Sequence, residues 1–312
     1  MSEKGVLLMA YGSPETLDDV EEYFAHIRGG RKPSPEAVEE LKERYRRIGG
    51  RSPLLEITKA QARALERHLN ADLDEGEGYR VYVGMKHWHP FIREAVERMA
   101  QDGIERAVGI ALAPHYSRLS VGAYIEAAQE ALEALKLKGQ LEMRFVEGWH
   151  LRPSLIEAWS ARVRDGLLKF DAKERDGVVV VFTAHSLPER ILEWGDPYPK
   201  QLLETAEAVA RRVGLPASRW TLAYQSASPT GEPWLGPDVL DVLDELSKQG
   251  VKGVLVCPIG FVADHLEVLY DIDVECRERA DERGLHLERT QLLNDDPLFV
   301  RGLAEIVRGH LP

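Results

Sequence analysis

Tyrosine, lysine and histidine side chains follow several apolar runs of this chain at the points where the runs end. Tyr11 follows the first run, Lys86 and His87 the second, His115 the third, and His185 a run in the second half. Ligands of open α/β sheets bind outside the carboxyl ends of the strands, so these residues are predicted to lie at ligand-binding edges. Neither GxGxxG nor GxxxxGK[ST] follows any of these runs, which argues against a dinucleotide or Walker-type nucleotide site.

A row of carboxylates follows the apolar run 251–258. Glu267, Asp271 and Glu275 recur at spacings of four, so a helix would place them on one side over about 12 Å. Such a row is usually a solvated helix face. Like charges at this spacing cost about 0.2–0.5 kcal/mol per pair, and this row begins soon after a strand among apolar neighbours. We therefore expect that the row binds cations, holds a buried proton or has another function.

His185 and Glu267 together fit metal handling. A histidine at a strand end is more often a structural residue than a ligand when it is considered alone. Imidazole nevertheless suits both a borderline divalent metal and proton transfer near neutral pH, and a carboxylate supplies an oxygen ligand or a second base. We therefore predict that these two residues form the central pair of a metal site.

Positive charge is concentrated in the segment 28–51, where eight basic residues stand against four acidic ones. Arg28 and Arg44 offer guanidinium forks that bind carboxylates in bidentate fashion, and Tyr45 and Ser52 add hydroxyl groups. The segment is thus a candidate site for a ligand that carries carboxylates. The alternative is an exposed helix with ordinary ion pairs four residues apart.

The overall composition excludes several classes of protein. A formal charge of -12 disfavours nonspecific binding to nucleic acid or to an anionic membrane. Two cysteines, Cys257 and Cys276, are too few for a disulfide framework or a four-cysteine iron–sulfur cluster. The first residues are typical of a strand rather than a signal peptide, and no run approaches the roughly 18 apolar residues of a membrane span. We expect a cytoplasmic protein without stable membrane association. No feature of the sequence requires an oligomer, so we expect a monomer.

Short apolar runs alternate with amphipathic stretches of helical length, which predicts an α/β fold with parallel sheets. The predicted strands are 5–10, 80–84, 107–113 and 142–146 in the first half, and 178–183, 220–224 and 251–258 in the second. The predicted helices are 35–48, 55–70, 90–102, 121–136, 153–170, 198–213, 237–249, 265–283 and 297–310. We predict one domain over 1–160 and another over 161–312, with the last helix free to pack back on the first.

Motifs over nearly the whole chain resemble the ferrochelatase family. In order, they are MAYGSP at 9–14, HIR at 26–28, RY at 44–45, IGG at 48–50, SPL at 52–54, KH at 86–87 and LAPH at 112–115. The second half adds AHSLPE at 184–189, GDPYP at 195–199, PWLGPD at 233–238, PIGF at 258–261 and DHLEVLYD at 264–271. Chance does not plausibly assemble this series.

The resemblance implies two Rossmann-like lobes, with a porphyrin cleft between them, and insertion of Fe²⁺ into the porphyrin. Such insertion must strip water from the metal, remove both pyrrole protons and bend the macrocycle. His185 and Glu267 are then the residues that handle ferrous iron, and Asp271 and Glu275 extend the acidic path. Iron is a substrate, and the resemblance implies neither a permanently bound cofactor nor an iron–sulfur cluster.

The block that contains Tyr11 is similar to the coproporphyrin branch of the family, whereas the protoporphyrin branch usually has an asparagine–leucine–glycine–glycine–proline-like block there. The resemblance makes Tyr11 an axial ligand of iron in coproporphyrin III. Further implied porphyrin contacts are Arg28, Arg44, Tyr45, Ser52, Lys86, His87 and Tyr124. Gly29 departs from close relatives, which often have a second arginine there, so one carboxylate contact is in doubt.

Three other functions remain open at the level of the sequence. The first is a protoporphyrin IX ferrochelatase, and the second is a noncatalytic carrier of tetrapyrroles or metals, since a fold does not fix a function. The third is a cobalt-inserting chelatase that acts on an earlier tetrapyrrole. The predicted partners are coproporphyrin III and Fe²⁺, with a transient contact to the next enzyme of haem synthesis.

Overall fold

The computed structural model describes residues 2–71, 73, 77–228 and 230–311. The chain divides into two compact units. Unit 1 comprises the described residues of 1–114, 118–149 and 294–312, and unit 2 comprises 115–117 and 150–293. Each unit is built around its own sheet.

The described residues of unit 1 form a four-stranded parallel sheet in the order β2-β1-β3-β4. Its strands are β1 (Ser2–Ala10), β2 (Glu77–Met85), β3 (Arg106–Ala111) and β4 (Glu142–Val146). Its helices are α1 (Val20–Ile27), α2 (Pro35–Arg47), α3 (Leu54–Asn70), α4 (Ile92–Gln101), α5 (Val121–Ala134) and, from the end of the chain, α10 (Pro297–His310). The run from Val6 to Met9 is fully buried, as expected for a strand of a sheet covered on both faces.

The described residues of unit 2 repeat this topology, with a parallel sheet in the order β6-β5-β7-β8. Its strands are β5 (Val179–His185), β6 (Trp220–Gln225), β7 (Gly253–Cys257) and β8 (His286–Arg289). Its α-helices are α6 (Pro153–Leu167), α7 (Tyr198–Val213), α8 (Val239–Lys248) and α9 (Arg277–Arg283), and a π-helix (Val268–Cys276) leads into α9. In both sheets the first strand of the set lies inside, between the second and the third.

Local sequence explains where several helices begin and end. Ser34 caps α2, because its hydroxyl accepts a hydrogen bond from the backbone N–H of Ala37 at 3.2 Å, and proline occupies the first helical position. After α2, Gly49 has a φ of 100°, which lies in the region that glycine favours at helix C-termini. The segment 28–51 therefore folds as one capped helix between two turns.

The fold class predicted from the sequence is confirmed: two α/β lobes, each with a parallel sheet flanked by helices. Two short elements, α1 and β8, were not predicted. The pattern over 265–283 is a π-helix followed by α9 rather than one α-helix. The predicted division at 160/161 also differs from the structure, since α6 packs on α7 and β7 within unit 2, while α10 packs on α3 within unit 1.

Candidate functional site

His185 and Glu267 lie in contact in unit 2. His185 is the last residue of β5, and Glu267 immediately precedes the π-helix. The imidazole Nε2 lies 3.5 Å from Oε1 of the carboxylate, and about a third of each side chain is exposed (30% and 31%). A short contact joins the imidazole Nδ1 to the carbonyl oxygen of Ser186, which can only accept a hydrogen bond. The Nδ1 proton is therefore held by the backbone, and Nε2 is the atom that faces Glu267.

The two side chains shift each other's proton equilibria. Burial by itself lowers the pKa of His185, but the Glu267 carboxylate, aided by the Ser186 carbonyl and Asp271, raises that pKa to about 9. Burial likewise raises the pKa of Glu267, and the neighbouring His185 and His265 outweigh it, so the pKa of this carboxyl lies well below its usual range. Near neutral pH the pair is an imidazolium and a carboxylate.

A second imidazole flanks the same carboxylate. The Nε2 of His265 lies 3.4 Å from Oε2 of Glu267, and its Nδ1 lies 3.0 Å from the carbonyl oxygen of Ala263. Each oxygen of Glu267 thus faces one histidine whose other ring nitrogen is held by a backbone carbonyl. The sequence contained the histidine within the DHLE motif, but its role was not predicted.

The carboxylate row continues into the π-helix. Asp271 is buried (6% exposed), and its Oδ2 accepts hydrogen bonds from the hydroxyl of Ser226 and from Nε2 of Gln225, the latter at 3.4 Å. The same amide nitrogen donates to the carbonyl oxygen of Glu267 at 3.2 Å. Glu275 is partly buried. Residues four apart come closer to one line in a π-helix, whose hydrogen bonds join residues five apart, than in an α-helix.

Positive charge is held beside the row by Arg289. Its guanidinium forms two hydrogen bonds with Asp273, at 2.7 and 2.8 Å, and a third contact with Asp264 at 3.2 Å. The side chain is only 15% exposed, and the two carboxylates outweigh burial and raise its pKa. Arginine therefore compensates these two acidic groups, whereas Glu267 is compensated by His185, which can release its proton.

The backbone around His185 is fixed from two sides. The hydroxyl of Tyr198, at the start of α7, donates a hydrogen bond to the His185 carbonyl at 2.9 Å. Gly260 lies against the end of β5, where a Cβ atom would come within 2.5 Å of the Cβ of Ala184. Trp234 places its ring 6.4 Å from the His185 imidazole. The family motifs GDPYP and PWLGPD thus supply residues that surround the pair.

In unit 1 the loops after β1 and β2 bring Tyr11, Lys86 and His87 together. The backbone N–H groups of Lys86 and His87 donate to the carbonyls of Ala10 and Tyr11, at 2.9 and 2.8 Å. The rings of Tyr11 and His87 lie 4.5 Å apart. Gly12 permits this approach, because its φ is 95° and a Cβ atom there would lie 2.9 Å from the backbone nitrogen of Trp88.

Burial changes the basicity of the groups beside Tyr11. It lowers the pKa of His87 to about 3, with help from the charges of Lys86 and His26. Burial also lowers the pKa of Lys86, against the opposing effect of Glu126. The Lys86 ammonium lies 5.5 Å from the centre of the Tyr124 ring. The predicted contacts Tyr11, Lys86, His87 and Tyr124 therefore belong to one neighbourhood.

The basic segment presents its groups in different ways. Arg28 lies directly after α1 with its guanidinium 5.6 Å from the centre of the Phe24 ring, and Arg44 contacts Glu40 at 3.5 Å. Tyr45 and Ser52 are buried (1% and 4% exposed), and the Ser52 hydroxyl accepts a hydrogen bond from Leu54 at 3.3 Å. All four stay predicted substrate contacts.

Within the described ranges, no group of three or more histidine, cysteine, aspartate or glutamate side chains is arranged to hold a metal ion. In that same part of the chain, no helix is both long and apolar enough to cross a membrane.

Comparison with known proteins gives a consistent result over the whole chain. The profile described as ferrochelatase matches residues 3–311. A protein of Herpetosiphon aurantiacus named ferrochelatase is 48% identical, over 99% of this chain and 100% of its own. Proteins named coproporphyrin III ferrochelatase are 47% identical in Anoxybacillus flavithermus, over 100% of this chain and 98% of theirs, and in Geobacillus kaustophilus, over 97% and 94%.

Solved structures add evidence on the fold alone. The sirohydrochlorin chelatase SirB of Bacillus subtilis subspecies spizizenii, solved with cobalt, aligns with a TM-score of 0.56 over 99% of this chain and 95% of its own. SirB of Bacillus subtilis with Fe³⁺ aligns with a TM-score of 0.57, over 99% and 96%. Sequence identities are only 12% and 13%.

Proposed function

The chain belongs to the ferrochelatase family, and from this we propose that it inserts Fe²⁺ into coproporphyrin III and releases both pyrrole protons, a step of haem synthesis. The observation that carries the proposal is the contact between His185 and Glu267 at the start of a row of carboxylates. Coproporphyrin is favoured over protoporphyrin because the block around Tyr11 is of the coproporphyrin type. Relatives at 45–47% identity that bear that name also support this choice.

We assign removal of the pyrrole protons to His185 and Glu267 of unit 2. At neutral pH His185 carries two ring protons, and the proton on Nε2 must leave before that atom accepts one from a pyrrole nitrogen or binds a metal. The leaving proton passes to solvent, and Glu267, whose pKa lies well below its usual range, stays ionised. Because the Ser186 carbonyl holds Nδ1, the exchange takes place at Nε2 without rotation of the ring.

The carboxylates provide oxygen atoms in place of water around the incoming Fe²⁺. Glu267, Asp271 and Glu275 lie in sequence order on and before the π-helix, and they form the acidic path predicted for the metal. Hydrogen bonds from Gln225 and Ser226 orient Asp271, so its carboxylate does not need to reorganise when a cation approaches. The histidine and carboxylate donors suit a borderline metal such as Fe²⁺.

Unit 1 supplies the groups that would bind the porphyrin. Arg28 and Arg44 fit the propionates, and Tyr45, Ser52, Lys86, His87 and Tyr124 are the further proposed contacts. Tyr11 is 38% exposed and carries a phenol oxygen, so it suits the axial ligand of the product iron. We further infer a cytoplasmic monomer that needs no resident cofactor and meets the next enzyme of haem synthesis transiently.

An anaerobic metallation assay tests this function. Purified protein is mixed with Fe²⁺ and either coproporphyrin III or protoporphyrin IX, and the conversion of free-base absorption bands is followed. We expect faster metallation of coproporphyrin III by the wild type and by His286→Ala, a control at an exposed histidine of β8, and little by His185→Ala.

Other outcomes identify the competing functions. Faster metallation of protoporphyrin would assign the chain to the other branch of the family. Binding of porphyrin with unchanged free-base bands in the wild type would indicate a carrier. Insertion of Co²⁺ into an earlier tetrapyrrole, with neither porphyrin metallated, would indicate a cobalt chelatase.

A further inference from the structure

Helix α1 is fastened to the loops after β1 and β2 at two points, one turn apart. The buried hydroxyl of Tyr23 donates a hydrogen bond to the carbonyl of Gly12 at 3.0 Å. Three residues later, the Nδ1 of His26 lies 3.2 Å from the Nδ1 of His87. Residues three apart share a helix face, so a single face of α1 holds both loops.

The ring of His26 is itself held in place. It lies 5.2 Å from the ring of Phe91 at an interplanar angle of 35°, and 5.4 Å from the ring of His87 at 76°. His87 in turn contacts Tyr11, with 4.5 Å between ring centres. A continuous chain of contacts therefore runs from α1 through two imidazoles to the predicted axial ligand.

The contact between the two Nδ1 atoms restricts the position of protons. A hydrogen bond needs a proton on one nitrogen and a lone pair on the other, so two neutral rings must adopt opposite tautomers. The ring that accepts carries its own proton on Nε2. His26 therefore fixes the plane of the His87 ring and couples the tautomer of one ring to that of the other.

We propose that His26 is a positioning residue for metallation: its Nδ1 hydrogen bond orients His87 against Tyr11, so that the phenol meets iron in a fixed geometry. This inference rests on the function proposed above. His26 touches neither substrate nor metal in the proposal and acts through its two neighbours. Its exposed location also allows replacement without creating a buried cavity.

Two substitutions separate the hydrogen bond from ring packing. His26→Phe keeps an aromatic ring against Phe91 but removes the nitrogen. His26→Asn lacks the ring but places an amide atom where Nδ1 lies. His286→Phe is the matched control, since it replaces an exposed histidine of unit 2.

Steady-state metallation of coproporphyrin III and the visible spectrum of bound iron coproporphyrin are the first measurements. We expect His26→Phe to lower kcat/KM by between about twofold and tenfold, the range for one lost hydrogen bond, and to shift the iron–tyrosinate bands. His26→Asn and His286→Phe should resemble the wild type. Wild-type kinetics and spectrum in His26→Phe would overturn the inference, and so would equal impairment in His26→Asn.

Nitrogen-15 NMR of the ligand-free protein gives a readout that does not depend on activity. At a pH where both rings are neutral, the rings of His26 and His87 should show opposite tautomers, and the pattern at His87 should change in His26→Phe but not in His286→Phe. Identical tautomers, or an unchanged His87 signal, would refute the positioning role. Failure of the wild type to metallate would instead count against the proposed function.

Discussion

Replacing Glu267 by glutamine should lower the pKa of His185 to close to neutral pH, so that a large share of the imidazole becomes a neutral base there. The carboxylate is the group that raises the pKa of His185 to about 9, against burial, which acts to lower it. Glutamine is almost isosteric, so the substitution removes the charge at 3.5 Å and leaves the packing nearly unchanged. Burial then acts with only Asp271 and the Ser186 carbonyl opposing it.

The expected size of this change follows from the distance. Two unit charges 3.5 Å apart interact with about 5 kcal/mol at an effective dielectric constant of 20. Since 30% of the His185 side chain and 31% of the Glu267 side chain are exposed, water screens the pair, and we expect roughly half of that energy. At about 1.4 kcal/mol per pKa unit, the pKa of His185 should fall by about two units, from about 9 to about 7.

Titration of the Cε1 proton of His185 by NMR in metal-free protein measures this shift directly. The resonance is assigned by its loss in His185→Gln, and His286 provides an internal reference because it is exposed and lies on β8. A midpoint in Glu267→Gln within roughly half a unit of the wild-type value would refute the ion-pair reasoning.

Four further results are expected. His185→Ala should reduce kcat by about 10²–10⁴-fold and leave KM nearly unchanged, because its role concerns protons and metal; a near-normal kcat would exclude it as base. Arg44→Ala should raise KM for coproporphyrin and leave kcat similar, and an unchanged KM would remove it from the binding surface. Ser226→Ala should destabilise the protein by about 1–3 kcal/mol in a urea titration, since buried Asp271 loses a donor. Folding raises the pKa of His185 above 6.5 and lowers the pKa of Glu267 below 4.5, so the pair should contribute most to the free energy of unfolding between pH 4.5 and 6.5. This contribution is measured as the difference from a His185→Gln/Glu267→Gln double variant. The contribution of His185 should vanish as pH rises through about 9, and that of Glu267 should vanish as pH falls through its lowered pKa.

The strands of both sheets were largely predictable because buried parallel strands have continuous apolar runs in the sequence. The prediction 142–146 matches β4, and 178–183 matches most of β5. β8 has four residues and a single buried one, so no apolar run marks it. Helix α1 has eight residues, and the side chain of Asp19 before it makes no capping hydrogen bond, so the sequence carries little signal for its start.

The contact between His185 and Glu267 was predictable because His185 lies at the end of β5 and Glu267 follows β7, the neighbouring strand of the same sheet. The residues that hold the site in place were not predictable. Gln225 and Ser226 lie more than 40 positions from Asp271 in the chain, and neither residue type signals a function alone. His26 and His87 are likewise 61 positions apart. The sequence also gave no sign that Tyr45 would be buried, since an arginine-rich helix suggests exposure.

Helix α10 determines which of the two units can complete its fold first during synthesis. Phe299, Leu303 and Val307 are at most 1% exposed, α10 packs on α3, and the hydroxyl of Tyr79 donates to the carbonyl of Leu311 at 2.8 Å. All these contacts belong to unit 1, yet the ribosome makes α10 only after the whole of unit 2. The apolar face of α3 therefore stays uncovered by its partner helix while the 226 residues between Asn70 and Pro297 are translated, which takes roughly 11–45 s at about 5–20 residues per second. The nascent chain therefore has all residues of unit 2 before it has all residues of unit 1. Unit 1, whose translation begins first, is the last to complete its fold.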